Sequence, residues 1–292
     1  MYGKAITSIK IVPEALSTLA KKNVFILGGT SGIGRALAHI CAKNGASVIV
    51  AGRSFKDIGV SNIAFQKLDV SSLKDVAAYA KTMTPIPDIV FLTCGIVPNT
   101  TREVTNEGIE KDMAISTLSR LVLLRELLPR LTSGARVCVW GMPGNGHGAA
   151  GASHLDDLNA EKGYVGGFGW VHMNTVAVNE AIVYHFASLF KEKGISIYGM
   201  NPGLIVTDIR NPLHGGGCVG SIIEGLVGLF TPTVNQYAEK IIPVILGAKE
   251  TGLSFGQSGC VIERESIFKQ EDKVEEVYAA AEKLVKDKVC IQ

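Results

Sequence analysis

The stretch ILGGTSGIGRALA carries glycines at 28, 32 and 34, with an apolar run before them and a helical pattern after. Glycine lets a chain turn tightly and lets backbone N–H groups approach a ligand closely. The start of the following helix adds a dipole that favours an anion. Gly28, Thr30, Ser31, Gly32, Ile33 and Gly34 are therefore expected to cradle a dinucleotide pyrophosphate. At the end of the next apolar run, AGRS offers Arg53 and Ser54 but no carboxylate. A carboxylate there would accept a ribose 2′-hydroxyl and repel a 2′-phosphate, whereas an arginine pairs with the phosphate. With Ser31 and Arg35 as further phosphate partners, the pattern favours NADP(H) over NAD(H). Asp69 and Val70, in LDV, follow the third strand; Asp69 either contacts the adenine edge or caps the next helix.

A second group of residues lies in HMNTV, where a helical reading puts His172 and Val176 on one face. Imidazole titrates at about 6.5, so His172 is suited to general acid–base work near neutral pH. The competing reading is a histidine in a helix first turn bonded only to backbone. Asn174, Thr175 and His147 are candidate supporting donors, and Tyr164 is a second candidate acid. The cysteines at 41, 94, 138, 218, 260 and 290 are far apart and form no CxxC, so no metal site is expected.

Strands and helices must position these groups. NVFILGG, SVIVAG, DIVFLTCG, RVCVWG and SIYGMNPG read as buried parallel strands. Helical patterns occupy 34–45, 71–83, 105–131 and 172–194, and a charged, surface-lying helix ends the chain. Such alternation predicts an α/β fold: a Rossmann-like, doubly wound parallel sheet flanked by helices, with ligands at the carboxyl ends of its strands. Residues 1–22 read as an N-terminal extension and 23–292 as one domain, with the Gly-rich then apolar segment 209–235 as a candidate substrate lid. The net charge of +2 gives no nucleic-acid footprint. No apolar run spans a membrane and no signal peptide opens the chain, so a cytoplasmic protein is expected.

The pieces GGTSGIGRA, AGR, LDVSSL, EGIEKDMAIS, LLRELLPRL, DDLNAEKGY and NPGLIVTDI together resemble the short-chain dehydrogenase/reductase superfamily, and within it the retinol-dehydrogenase-like group. The resemblance implies a sheet of about seven strands, the seventh near 259–263. It places Gly95 in the family's Asn-Asn-Ala-Gly position, and Pro202, Gly203 and Thr207 against the nicotinamide half. It also implies a dimer or tetramer formed through the helices 105–131 and 172–194. In the family, Tyr acts as acid, Lys lowers its pKa and holds the ribose, Ser orients the carbonyl, and Asn holds a helix break and a water. Here Ser116 falls on the Asn, Met142 (or Gly141) on the Ser, His172 on the Tyr and Val176 on the Lys, with Asn179 keeping the register.

Three functions are compatible with that rewritten face. One is an NADP(H)-dependent reductase of a carbonyl or enone of a hydrophobic small molecule, with His172 as acid. Another is a non-redox isomerase, cyclase or lyase. The third is a catalytically silent nucleotide-binding regulatory protein.

Overall fold

The structure is a computed structural model and describes residues 3–144, 152–205 and 231–289. Its sheet has eight strands in the order β3-β2-β1-β4-β5-β6-β7-β8. These are β1 Asn23–Leu27, β2 Ser47–Gly52, β3 Ile63–Lys67, β4 Ile89–Leu92, β5 Arg136–Trp140, β6 Ser196–Met200, β7 Leu253–Phe255 and β8 Val261–Ile262. All neighbours pair in parallel except β7 with β8. Strand order reverses between β1 and β4, which opens a crevice at their carboxyl ends. The central strands are buried on both faces and so read as unbroken apolar runs.

Helices α1 (Gly32–Lys43) and α5 (Val234–Gly247) cover one face of the sheet. Leu37, Cys41, Ile241 and Ile245 meet Ile26, Val50 and Phe91 there. The other face carries α2 (Leu73–Thr82), α3, α4 (Trp170–Glu192) and α6 (Glu271–Lys288). Helix α3 runs as Lys111–Met113, then a π-helical stretch Ala114–Leu118, then Ser119–Leu127. It starts later than the expected 105, because Thr105 and Gly108 close a turn and Val104 bridges Glu110.

The seventh strand is not at 259–263. Leu253–Phe255 takes that place beside β6, and residues 261–262 return antiparallel as an eighth strand. A tight turn at Gly256–Cys260 makes this reversal, with Gly256 N–H donating to the Cys260 carbonyl. The N-terminal segment continues the edge, since Ile6 N–H donates to Val261 O and Glu263 N–H to Lys4 O. Of the expected lid, 209–230 lies outside the described residues; Thr233 and Gln236 form a reciprocal cap that starts α5.

Helix α6 is charged outside but buries Val274, Val277, Ala281, Leu284 and Val285. Its spacing is that of an amphipathic helix, and its apolar face lies on α4. The His185 ring stacks on Tyr278 with centroids 3.5 Å apart, and His185 Nδ1 is 2.8 Å from Glu275. Arg125 on α3 reaches Glu282 at 3.2 Å. Part of the α4 face is thus covered from within the chain by α6.

Val277→Asp puts an uncompensated carboxylate into this contact. We expect it to cost about 3 kcal/mol or more in urea unfolding. Lys283→Ala, on the exposed face, should stay within about 0.5 kcal/mol of the native value.

Candidate functional site

The loop after β1 is built from positions where a side chain does not fit. Gly28 has φ +88°, and a Cβ there would sit 2.5 Å from Cys94 N. A Cβ at Gly34 would lie 2.4 Å from both Gly28 O and Thr93 Oγ1. Thr30 lies against Gly52 at the end of β2, where an added Cβ would meet it at 2.7 Å. Ser31 is the N-cap of α1 but does not cap it with its side chain. The loop and the helix start form a tight cradle of backbone that fits a pyrophosphate.

At the end of β2 the two arginines differ. Arg53 is exposed and has no ion pair among the described residues. Arg35 is committed: its Nε and Nη2 fork onto Asp57 at 2.5 and 2.7 Å, and His39 reaches the same carboxylate at 2.9 Å. Hydrogen bonds from Arg35 and then His39 hold the Asp57 carboxyl far below the usual range. Asp57 was not among the residues the sequence singled out. Exposed Asp69 accepts from Ser71 N–H and Oγ–H, turning the chain into α2, whose N-cap is Ser72. Half-buried Val70 lies beside it. A distant carboxylate, Glu107, accepts the first α2 amides, Leu73 and Lys74, at 2.9 and 3.0 Å.

His172 is in the first turn of α4, and its ring partner is not backbone. Nδ1 lies 2.7 Å from Oδ2 of Asp112, a carboxylate with no exposure to water. Oδ1 of the same carboxylate is 2.5 Å from Ser116 Oγ, which accepts the Ile96 N–H at 3.0 Å. Ser116 therefore bonds to a carboxylate rather than back to a helix carbonyl. It lies in the π-helical stretch that interrupts α3. Asn179 Nδ2 donates to Ser116 O at 2.9 Å and Thr117 Oγ1 at 3.0 Å. Its Oδ1 accepts from buried Arg120 at 2.8 Å, and Arg120 also donates to Cys94 O. Desolvation lowers the Arg120 pKa.

The other positions that the sequence singled out carry no comparable chemistry. Val176 is buried and apolar. Met142 has φ +54°, and its N–H donates to Met200 O. Gly141 lies against Asn179, where a Cβ would be 2.5 Å from its Cβ. Gly95 faces Ser116 and Arg120, and Gly203 N–H donates to Asn201 Oδ1 next to Pro202. Thr175 donates back to His172 O, and the buried Asn174 amide has no hydrogen-bond partner among the described residues. Tyr164 donates to Asn99 O, and burial with the nearby Glu110, Asp112 and Glu103 pushes its pKa to about 12. Arg102 donates to Asn159 O, and Glu103 pairs with Lys111. Thr207 and His147 lie outside the described residues.

Comparison with known proteins adds the family context. The short chain dehydrogenase family model matches residues 22–144. An uncharacterized oxidoreductase of Saccharomyces cerevisiae is 33% identical over 255 residues, covering 82% of this chain and 80% of that protein. Retinol dehydrogenase 12 of Bos taurus is 27% identical over 63% of this chain and 61% of its own length. The fold is shared with an uncharacterized protein of Mycobacterium paratuberculosis (TM-score 0.65, 19% identity, 94% of this chain and 98% of that one). It is shared also with a Shigella flexneri short chain dehydrogenase complexed with NADP (TM-score 0.59, 17% identity, 83% and 99%).

Beneath the site, burial raises Glu110 to about 7, although it accepts the Met113 N–H at the start of α3. The folded protein then holds a proton that the unfolded chain has already released. Stability should therefore fall as pH rises from about 4.5 to about 7, by up to roughly 3 kcal/mol from this group. Glu110→Gln keeps an acceptor for Met113. Its melting temperature should lose that part of the pH dependence and exceed the native value at pH 8.

Proposed function

The chain belongs to the short-chain dehydrogenase/reductase family, and we propose that within it the protein is an NADP(H)-binding oxidoreductase with His172 in the acid's role. The observation that carries this reading is the imidazole seated on a buried carboxylate, at the helix position where the resemblance puts the family's tyrosine. The substrate is a carbonyl or enone of an apolar small molecule. Val165 and Phe168, just before α4, and Leu204, just after β6, are exposed apolar side chains. Phe168 stands edge-on to His172, with centroids 5.6 Å apart.

The pyrophosphate would be held by the 28–34 loop and the start of α1. Arg53 is the uncommitted cation for a 2′-phosphate, and supports NADP(H) over NAD(H). A bound nicotinamide supplies or accepts the hydride. His172 holds the proton that an alkoxide needs, and takes one in the reverse direction. Loss of the ribose-holding cation at Val176 and of the carbonyl donor at Met142 supports a second reading, in which His172 moves a proton with no change at the nicotinamide.

Calorimetric titration with NADPH, NADP+, NADH and NAD+ tests the cofactor assignment. We expect micromolar or tighter NADPH, with NADH weaker by about tenfold or more. Arg53→Ala should collapse that difference. No binding of any nicotinamide would sink the reading. In a screen of carbonyls and enones, His172→Ala should cut kcat/KM by about 10²-fold or more with NADPH affinity kept. Turnover that survives intact would remove His172 from the chemistry.

A further inference from the structure

The ring of His172 is held by a chain of hydrogen bonds whose direction follows from its far end. The Ile96 N–H can only donate, and it donates to Ser116 Oγ at 3.0 Å. The Ser116 hydroxyl therefore sends its own proton to Asp112 Oδ1, 2.5 Å away. The other oxygen, Oδ2, meets His172 Nδ1 at 2.7 Å, the length of a charge-assisted bond. Asp112 has no contact with water, so its ionised form needs neighbouring positive charge. Arg120, buried further along α3, interacts electrostatically with it, and His172 lies against it.

We propose that Asp112 is the positioning residue for His172: it keeps a proton on Nδ1 and makes Nε2 the nitrogen that exchanges protons with the substrate. This rests on the proposed role of His172 in proton transfer. In the reducing direction the carbonyl carbon takes the hydride that NADPH gives up. The C=O π pair moves onto oxygen, which takes the proton from imidazolium Nε2. The imidazole ends neutral, with Nδ1–H still on Asp112, and the carboxylate is never protonated. Without that carboxylate the ring is free to adopt the other tautomer, which has no Nε2 lone pair to accept a proton in reverse.

The test is nitrogen NMR of the full chain labelled with ring-15N histidine, at alkaline pH where imidazole is neutral. The His172 signals are identified by their loss in His172→Gln. In the native protein we expect the Nδ1–H tautomer, the minor form of free histidine. In Asp112→Asn the Ser116 hydroxyl still needs an acceptor and claims the amide oxygen. The amide NH2 then faces Nδ1 as a donor, and the ring must switch to Nε2–H. Carbonyl turnover should fall by about 10²-fold or more while NADPH affinity stays unchanged. A native ring found as Nε2–H overturns the proposal without any variant, so a poorly folding Asp112→Asn does not protect it. An unchanged Nδ1–H ring in folded Asp112→Asn overturns it too. If the tautomer behaves as expected but the native protein turns over no carbonyl, the positioning role stands and the reductase reading fails.

Discussion

A carboxylate shut away from water is tolerated only when hydrogen bonds and opposite charge surround it, and Asp112 sets that condition for the middle of this protein. Its partners come from three parts of the chain: Ser116 on its own helix, His172 on α4 and, through Ser116, the Ile96 amide after β4. Further along the same two helices, Asn179 takes the Ser116 carbonyl and Arg120 takes the Asn179 oxygen and the Cys94 carbonyl. The result is a polar seam between α3 and α4 inside an otherwise apolar layer. Apolar packing resists a slide of α3 along α4 by shape alone. The seam adds a second restraint, because each slip would leave a buried donor or acceptor unmade.

In the proposed reading, the seam also makes the four residues at the family's catalytic positions compatible with one another. In the arrangement this chain resembles, a cation beside a phenol helps it to lose a proton. An imidazole faces the opposite problem, because its charged form is positive and an anion behind it is what helps. On that proposal Asp112 supplies the anion, and the buried, apolar Val176 sets no cation beside the ring to oppose it. Met142 is outside this logic: its N–H donates to Met200 O, and its side chain has no hydrogen to donate to a carbonyl.

Legibility in the sequence followed the strictness of the local demand. Gly28 and Gly34 were readable because no side chain fits where they stand. That His172 and Val176 share a helix was readable from the spacing of HMNTV. Asp112 was not, since an aspartate inside KDMAIS looks like any helix-surface charge, and its partner is 60 residues away. Asp57 was hidden for the same reason: its partners are on α1. The three-residue β7 has too few residues for a period to show. The last helix lies on the surface with its charge outward, as its composition suggested, and its apolar residues have the spacing of the one face it covers.

That covering helix bears on how the fold closes. Helix α4 buries most of its length, and part of its cover is supplied by residues 274–285. The contact joins residues 90 positions apart, as between His185 and Glu275. Contacts so distant in sequence form late, because the intervening loop must first be closed against its entropy. Until α6 docks, α4 carries an open apolar face, and a chain halted at that point is a natural client for chaperones that shield such surfaces.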